Sequence, residues 1–317
     1  MTSELATESR LVLDARLRPV VGSSFQPTGF ANLGAAEFTR PGGQLALLVE
    51  SVQSMANRLE DIGIDASTRS PVESLRSLPW IAVRDPEGRL LTSSRLEPHR
   101  LASVYIRESK IDGTAGVDWI VERLALRPKT PLDMREIYRA VFELDPLCLL
   151  HGVFFSDKKF SGNPKIRRAT TAVIEAHGVA PVVSGGLKRD DVQFTTSEHA
   201  GAEEGYGFVP FSRTEYIAEE IILSASLDLS QIRGYGLDTA ATRLLELLAT
   251  WELASLLERP LRLRTACDLQ LESLAIRRPD GYTMPASVDL ESQLAAALAD
   301  VSFERPGERT AVWQPKA

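Results

Sequence analysis

The sequence lacks the features that would mark a membrane or secreted protein. It has no run of about 18 or more apolar residues, so no segment is expected to span a membrane. The N-terminal stretch, MTSELATESR, lacks the basic start and apolar core of a secretory signal. Only two cysteines occur, Cys148 and Cys267, and they are far apart. We therefore expect reduced thiols and a cytoplasmic location, with no membrane partner.

The sequence also lacks the common catalytic motifs. No phosphate-binding P-loop, GxGxxG, HExxH or GxSxG motif occurs. The four histidines and two cysteines show no zinc-ligand spacing, so we predict no metal and no cofactor. His99 and His151 could form an acid–base pair for RNA cleavage, although the sequence does not show that they meet. Asp145, followed by Pro146, is interpreted as a turn residue.

The overall charge argues against a nucleic-acid partner unless the basic residues are clustered. The 317 residues carry a net charge of −7, whereas nucleic-acid-binding proteins are commonly basic. Phosphate attraction is screened over about 8–10 Å, so a local basic patch can bind even on an acidic chain. The 44% hydrophobic content is that of a globular protein with a sizeable core, in one elaborated domain or two.

The densest basic cluster lies in residues 158–168. It contains five basic residues and no acidic one, namely Lys158, Lys159, Lys165, Arg167 and Arg168. Phe160 lies among them, and cations together with an aromatic ring suit a single-stranded nucleic acid. A solvated basic turn is the alternative. The preceding Phe154 and Phe155 are expected to be core residues.

Three weaker sets of basic candidates follow from the sequence: Arg95, His99 and Arg100; Lys188 and Arg189; and Arg264. The first set is diluted by acidic neighbours, and a buried structural role for its histidine is an equal alternative. The second set is followed at once by two aspartates, which cancel its charge locally. The third lies on a predicted strand and could follow a phosphate chain, with an ion pair to Asp268 as the alternative.

A polar helix is predicted at residues 44–61. Val49, Val52, Ala56 and Leu59 recur at three- and four-residue steps, so they would share one helix face. The opposite face and its margin are rich in groups that can bond to a ligand: Ser51, Gln53, Ser54, Asn57 and Arg58. A glycine turn at residues 40–43 precedes it and could leave backbone N–H groups free for an anion. A core helix with an ordinary polar face is the alternative.

The remaining pattern indicates a mixed α+β chain. We predict strands at residues 11–21, 148–155, 192–195, 213–229 and 261–274, and a hairpin at 80–91. We predict helices at residues 117–126, 131–142, 165–177, 239–257 and 287–301. This order is compatible with an embellished βαββαβ ferredoxin-like core, but the pattern alone does not favour it over other α+β arrangements.

Several segments resemble one known family. The segment LVESVQSMANRLE at residues 48–60 resembles the signature of the backbone subunit of the type I-G (formerly I-U) CRISPR effector complex, a member of the RAMP superfamily. Further matches are FQPTGF at 25–30, TSSR at 92–95, LHGVFF at 150–155, SGG at 184–186, YGL at 235–237 and RTACDL at 264–269. Each match is weak alone, but their order along most of the chain is specific.

The resemblance implies a fold and a domain organisation. The expected fold is α+β, with a modified RRM/ferredoxin-like core that carries a fingers insertion and a β-hairpin thumb, the RAMP backbone-subunit fold. By order along the chain, the RRM-like palm would comprise residues 1–63 and 145–302, and the fingers-like insertion residues 64–144. The thumb-like hairpin would be residues 185–210, and residues 303–317 would form a polar C-terminal tail.

The resemblance also implies a function. The chain would be a non-catalytic CRISPR RNA-binding subunit in the cytoplasm of a prokaryote, with copies stacked along the guide spacer in antiviral defence. Its partners would be the CRISPR RNA, the target DNA strand, further copies of itself, a fused Cas-five/Cas-six-type subunit, the large subunit and a recruited helicase–nuclease. A metal-independent RNA endonuclease using His99 or His151, and a protein-only scaffold, are the alternatives.

Overall fold

The computed structural model describes residues 5–30, 33–189 and 208–314. Its helices are α1 (Val52–Ile62), α2 (Val104–Glu108), α3 (Gly116–Arg123), α4 (Met134–Leu144), α5 (Leu147–His151), α6 (Leu229–Gly234), α7 (Thr239–Leu257) and α8 (Ser287–Ala299). The predicted helix at 239–257 is confirmed with its bounds, and those at 117–126, 131–142 and 287–301 are confirmed within a few residues. None of the described helices is long and apolar enough to span a bilayer.

The strands begin with β1 (Arg10–Pro19), β2 (Gly29–Phe30), β3 (Gly34–Ala35), β4 (Glu37–Thr39), β5 (Leu45–Glu50), β6 (Ile64–Asp65), β7 (Ser70–Pro71), β8 (Trp80–Arg84), β9 (Leu90–Ser93) and β10 (Lys110–Ile111). They continue with β11 (Thr114–Ala115), β12 (Val153–Phe154), β13 (Lys165–Ile166), β14 (Thr170–His177), β15 (Ala180–Arg189), β16 (Phe208–Ile217), β17 (Glu220–Asp228), β18 (Leu261–Arg264), β19 (Cys267–Arg278) and β20 (Glu308–Val312). The chain is therefore mixed α+β, as predicted.

The largest sheet of the described residues is antiparallel and has seven strands, in the order β18-β19-β1-β17-β14-β5-β4. Its central part is held by β1, which pairs with both β17 and β19. Leu11, Leu13 and Ala15 of β1 are fully buried, whereas the residues between them face the other side. This two-residue alternation gives the sheet one core face and one outer face.

Helices α1 and α7 both contribute buried residues to the core, and α7 is the longest of the described helices. Helix α1 packs against β14 and α7. Helix α7 is buried around most of its circumference, which agrees with its almost continuous apolar sequence. Asp238 caps its first turn by accepting a hydrogen bond from the Ala241 backbone N–H at 2.8 Å.

A second sheet joins the predicted insertion to the end of the described chain. Its strand order is β11-β10-β20-β8-β9, and β20 is parallel to β8. The predicted hairpin at 80–91 is confirmed as the pair β8 and β9. Residues 303–317 were expected to form a polar tail, but Glu308–Val312 is a strand of this sheet. Phe303, just before it, stacks on Phe142 with ring centroids 5.2 Å apart.

Strands β15 and β16 form a long antiparallel hairpin. Their register runs from the pair Ala180 and Ile217 to the pair Arg189 and Phe208. The predicted thumb at 185–210 overlaps the distal part of this hairpin. Residues 190–207, with the predicted strand at 192–195, lie outside the described residues. At the base of the hairpin, Phe25 pairs with Tyr216 and holds the preceding loop against it.

The predicted helix at 44–61 is wrong in its first third. Residues 45–50 form strand β5, and the helix begins only after Ser51. The Ser51 hydroxyl accepts a hydrogen bond from the Ser54 backbone N–H at 3.2 Å, so this side chain caps the helix. The glycine turn at 40–43 therefore leads into a strand, and it does not present a helix N-terminus to an anion.

Two further element types are corrected by the structure. The predicted strand at 148–155 is helix α5 followed by the short strand β12. The predicted helix at 165–177 is the strand pair β13 and β14. Thr170, Ala172 and Ile174 are buried at every second position, which is the period of a strand. The long strands predicted at 213–229 and 261–274 each divide into two, β16–β17 and β18–β19.

Candidate nucleic-acid interface

A groove of about 430 Å³ brings the start of α1 together with the basic segment. It is called the cationic groove here and is defined by Gln53, His99, Phe154, Lys165, Arg167 and Arg168. Among the described residues that line it, none carries an acidic side chain. The groove also has backbone and side-chain walls from the segment around Gly152. Cations without acidic neighbours and a neutral amide are groups that bind phosphate oxygens.

Gly152 determines how closely the groove walls approach each other. Its φ of +80° lies in the left-handed region, which side chains rarely adopt. A Cβ at this position would lie 2.9 Å from the Ile166 carbonyl oxygen and 3.2 Å from the Arg168 backbone nitrogen. Strand β12 can therefore pair with β13 only because residue 152 has no side chain. This close pairing brings Arg168 to Gln53, whose amide oxygen accepts a hydrogen bond from the guanidinium.

The positive charge of the groove is only partly compensated. Within the described residues, the side chains of Lys165 and Arg167 form no ion pair, and Arg168 is bonded to the neutral amide of Gln53. Partial burial and the neighbouring charge of Arg100 lower the pKa of Arg168 from its ordinary value. A guanidinium remains protonated at neutral pH, so the groove attracts anions.

Phe154 is exposed in this groove, although it was expected to be a core residue. Its exposed fraction is 48%, and the Lys165 ammonium lies 5.5 Å from the centroid of its ring. Phe155 is fully buried and contacts Phe160, with ring centroids 5.0 Å apart. Consecutive strand residues point to opposite sides, so the sequence contained the signal that only one of the two phenylalanines could face the core.

Phe160, predicted to stack on RNA bases, is a core residue. Its exposed fraction is 0%, so the prediction that it binds RNA is corrected. Lys158 and Lys159 of the same segment are exposed but do not line the cationic groove. The Lys159 ammonium instead lies 2.7 Å from Asp118 of α3. The basic segment therefore divides into an outer pair of lysines and the three cations of the groove.

Arg95 and Arg100 are also corrected, because both are buried in ion pairs. The Arg100 Nε donates to Glu60 at 2.7 Å, and its Nη1 donates to the Gly152 carbonyl oxygen at 3.2 Å. The Arg95 side chain is fully buried, with its Nε 3.7 Å from Asp145. Neither guanidinium is free to bind a phosphate. Their role is structural, since removing one partner would leave a charge buried and unpaired.

His99 and His151 both line the groove, but their environments differ. His99 is exposed. His151 is fully buried, and its Nε2 lies 2.9 Å from Glu252 of α7. Burial lowers the pKa of His151 to about 4, and burial raises the pKa of Glu252 well above its usual range. At neutral pH the imidazole is uncharged and is held by a hydrogen bond beneath the groove.

Three other predicted contacts converge on the buried carboxylate of Glu50. It accepts hydrogen bonds from the Ser54 hydroxyl, from Arg58 Nε at 2.9 Å and from the guanidinium of Arg264. Arg264 also donates to the Val49 carbonyl oxygen at 2.8 Å. These groups link α1 to strands β5 and β18, and the single Glu50 carboxylate is shared by two guanidiniums. Ser54, Arg58 and Arg264 are thus positioned by the fold and do not line the cationic groove.

The remaining predicted residues are placed as follows. Asn57 accepts a hydrogen bond from the Gln53 amide nitrogen at 3.3 Å, so it orients the amide at the groove wall. Lys188 and Arg189 belong to β15, but their side chains lie outside the described residues. Arg264 lies at a different cavity, of about 480 Å³, between the loop near Gln26 and the base of the hairpin. In the described part of the chain, no group of His, Cys, Asp or Glu is arranged to hold a metal.

Comparison with known proteins places these observations in a family. No curated protein sequence matches the chain. Among solved structures, the chain is similar to a chain of a "CRISPR RNA-guided surveillance complex, pre-nicking", with 14% identity, a TM-score of 0.44, and coverage of 92% of this chain and 86% of that one. It is also similar to Csc2 of Thermofilum pendens, with 11% identity, a TM-score of 0.32, and coverage of 96% and 80%.

A third similar chain belongs to a "CRISPR RNA-guided surveillance complex", with 12% identity, a TM-score of 0.36, and coverage of 92% and 84%. The assignment to a family rests on the sequence. The model of one family matches residues 11–181, which is more than half of the chain and includes α1 and all residues that define the cationic groove. The chain belongs to the family of CRISPR-associated protein GSU0053.

Proposed function

We propose that this chain is a CRISPR RNA-binding backbone subunit of a type I-G surveillance complex. Copies of it would associate along the guide spacer and hold the guide for hybridisation with the target DNA strand. Membership of a CRISPR-associated family supports this function, and the segments shared with the type I-G backbone subunit support the subtype. The further partners would be the fused Cas-five/Cas-six-type subunit, the large subunit and a helicase–nuclease.

The cationic groove is the observation that carries the proposal. Gln53 lies on α1 and the three cations follow β12, about a hundred residues later, yet the fold places them along one groove. Contacts to phosphates and sugars do not depend on base identity, and a guide-binding subunit must accept every spacer sequence. Although the chain has a net charge of −7, no acidic residue is found among the described residues that line the groove.

The order of strands supports a ferredoxin-like core within the large sheet. Strands β1, β14, β17 and β19 occur in this order along the chain and lie in the spatial order β19-β1-β17-β14. This is the fourth-first-third-second order of a βαββαβ unit, with α1 before the second strand and α7 before the fourth. We infer that residues 1–63 and 145–302 form the palm, that residues 64–144 form the fingers, and that residues 185–210 form the thumb.

RNA binding by the purified chain tests the proposed function. We expect binding of single-stranded RNA without sequence preference, and an affinity that falls steeply with salt because counterions are released from the phosphates. Replacing Lys165, Arg167 and Arg168 with alanine should reduce the magnitude of the log–log salt slope by about 2, at roughly 0.7 for each phosphate contact. Binding that is absent or insensitive to salt would contradict the proposal.

A metal-independent ribonuclease is the second candidate, because His99 and His151 line the same groove. The buried position of His151 and its bond to Glu252 weigh against a role as general base at neutral pH. Incubation of labelled RNA with the protein and a chelator distinguishes the two functions. Intact RNA is expected, and cleavage that is lost in His99→Ala would favour the enzyme. A protein-only scaffold would instead assemble equally well in the absence of guide RNA.

A further inference from the structure

Two aromatic side chains stand out among the described residues because about half of each is exposed. Phe154 has an exposed fraction of 48% and Tyr105 of 43%. The Tyr105 ring packs edge-on against Trp313, with centroids 5.5 Å apart. The Phe154 ring contacts no other described aromatic ring, and the Lys165 ammonium lies over it. A single exposed apolar side chain is common on a protein surface, so exposure alone indicates no ligand.

The position of Phe154 distinguishes it from Tyr105. It lies in the cationic groove, between the cations that follow β13 and the segment that carries His99. Its backbone is fixed by pairing with Lys165, and its neighbour Phe155 is anchored in the core. The backbone of Phe154 therefore positions its ring beside groups that bind phosphates. A strand that lies along these cations would bring its bases within reach of the ring.

We propose that Phe154 is a platform on which one nucleobase of the bound strand stacks. This inference rests on the proposed function and adds the chemical class of group that the groove accepts, a nucleobase beside its phosphate. Arg167 and Arg168 would hold the adjacent phosphates. On binding, the Lys165 ammonium would move from the face of the Phe154 ring to a phosphate, and a base would take its place on the ring. This exchange is favourable because a cation–π contact at an exposed site is weak compared with base–aromatic stacking.

Stacking is compatible with a guide of any sequence. Every base has an aromatic face, so a ring can add affinity without reading hydrogen-bonding edges. Purines and pyrimidines both present such a face, so stacking on Phe154 agrees with binding that shows no sequence preference. A DNA strand and an RNA strand of the same sequence should gain equal affinity from stacking on Phe154, because this contact does not involve the sugar.

The test compares an RNA oligonucleotide with an abasic oligonucleotide of equal length and charge. Phe154→Leu retains an apolar side chain of similar size but removes the aromatic face, and Phe154→Trp retains that face. We expect Phe154→Leu to weaken binding of the RNA about tenfold, by loss of one stacked base, and to leave binding of the abasic strand unchanged. Phe154→Trp should bind the RNA as tightly as the wild-type chain, and Tyr105→Leu serves as the matched control outside the groove.

The possible outcomes separate this inference from the proposed function. Equal losses by Phe154→Leu on both strands would show a general disturbance of the groove and would overturn the stacking platform. No loss on either strand would overturn it as well, although salt-dependent RNA binding would still support the proposed function. If the wild-type chain binds neither strand, the proposed function fails and the platform fails with it. Thermal melting of each variant shows whether the fold is retained.

Discussion

The cationic groove and the outer face of the large sheet both contain basic residues, but the surroundings of these residues differ. On the sheet, Arg10 lies 2.7 Å from Asp228, Arg16 lies 2.6 Å from Glu220, and Arg277 lies 2.8 Å from an aspartate of β1. In the groove, the described lining residues include no acid. The pairing of cations with acids, and not their number, therefore decides which surface can bind an anion.

This difference explains why the net charge of this chain is a poor guide to whether it can bind a nucleic acid. Exposed ion pairs contribute little to stability, and each one also removes a cation from contact with a polyanion. Arg10, Arg16 and Arg277 of the sheet face are neutralised in this way, whereas the groove keeps its charge because no acid is found among its described lining residues. An acidic chain can thus present one basic surface.

The buried pair beneath the groove should show the largest effect on stability. Arg100→Ala leaves the Glu60 carboxylate buried without its partner, and we expect a loss of about 3–5 kcal/mol in the free energy of unfolding. Arg10→Ala on the sheet face removes an exposed pair and should cost less than about 1 kcal/mol. Urea unfolding measures both. Equal losses in the two variants would contradict the distinction between the buried and the exposed arginines.

The pH dependence of stability should reveal the buried imidazole. The pKa of His151 is lowered from 6.5 to about 4, so between these values the unfolded chain binds a proton that the folded chain does not. This contribution to stability is complete above pH 6.5 and is lost as the pH falls toward 4, by about 3 kcal/mol. The raised pKa of Glu252 acts in the opposite direction, because its contribution is lost as the pH rises above 4.5.

Urea unfolding at several pH values isolates the histidine contribution. His151→Gln should be less stable than the wild-type chain at pH 7, because it disturbs a buried hydrogen bond, but its stability should change less between pH 6.5 and 4. His99→Gln, at the exposed histidine of the groove, is the control and should follow the wild-type curve. A pH profile that is the same in His151→Gln and the wild type would show that the imidazole is not the titrating group.

Substitution of Gly152 at the groove wall should reduce the free energy of unfolding by a smaller amount, and it should also weaken RNA binding. Gly152→Ala places a Cβ 2.9 Å from the Ile166 carbonyl oxygen at a positive φ, and we expect a loss of about 1–3 kcal/mol. The same change should weaken RNA binding because β12 must move away from Arg168. Gly88→Ala, also at a positive φ but with open space around it, is the control: it should lose stability without losing RNA affinity.

Much of the fold could be predicted from the sequence, and the failures have a common cause. The long periodic segments at β1, α7 and α8 agree with the structure, because their apolar patterns extend over several turns or pleats. The run Cys148–Phe155 was too short to distinguish helix from strand by composition. Pro146, which is tolerated at the start of a helix, was the available signal for α5.

The site was predicted in part, since side-chain chemistry shows which groups can bind phosphate but not which are free to do so. Arg95 and Arg100 are neutralised by Asp145 and Glu60, which are about forty or more residues distant in the sequence. No local pattern identifies such partners. The exposure of Phe154 was not predicted, because residues 148–155 were interpreted as one buried strand. The alternation of strand side chains nevertheless indicated that Phe154 and Phe155 face opposite sides. The association of Gln53 with the basic segment required the tertiary fold.

The most direct test compares two variants that remove equal charge from the two surfaces. One replaces Lys165, Arg167 and Arg168 of the groove with alanine, and the other replaces Arg10, Arg16 and Arg277 of the sheet face. Guide RNA retained on the purified assembly and RNA affinity at fixed salt are measured for both. The groove variant should lose guide RNA and at least tenfold in affinity, while the sheet variant should retain both. Equal losses would show that only total charge matters and would contradict the assignment of the groove.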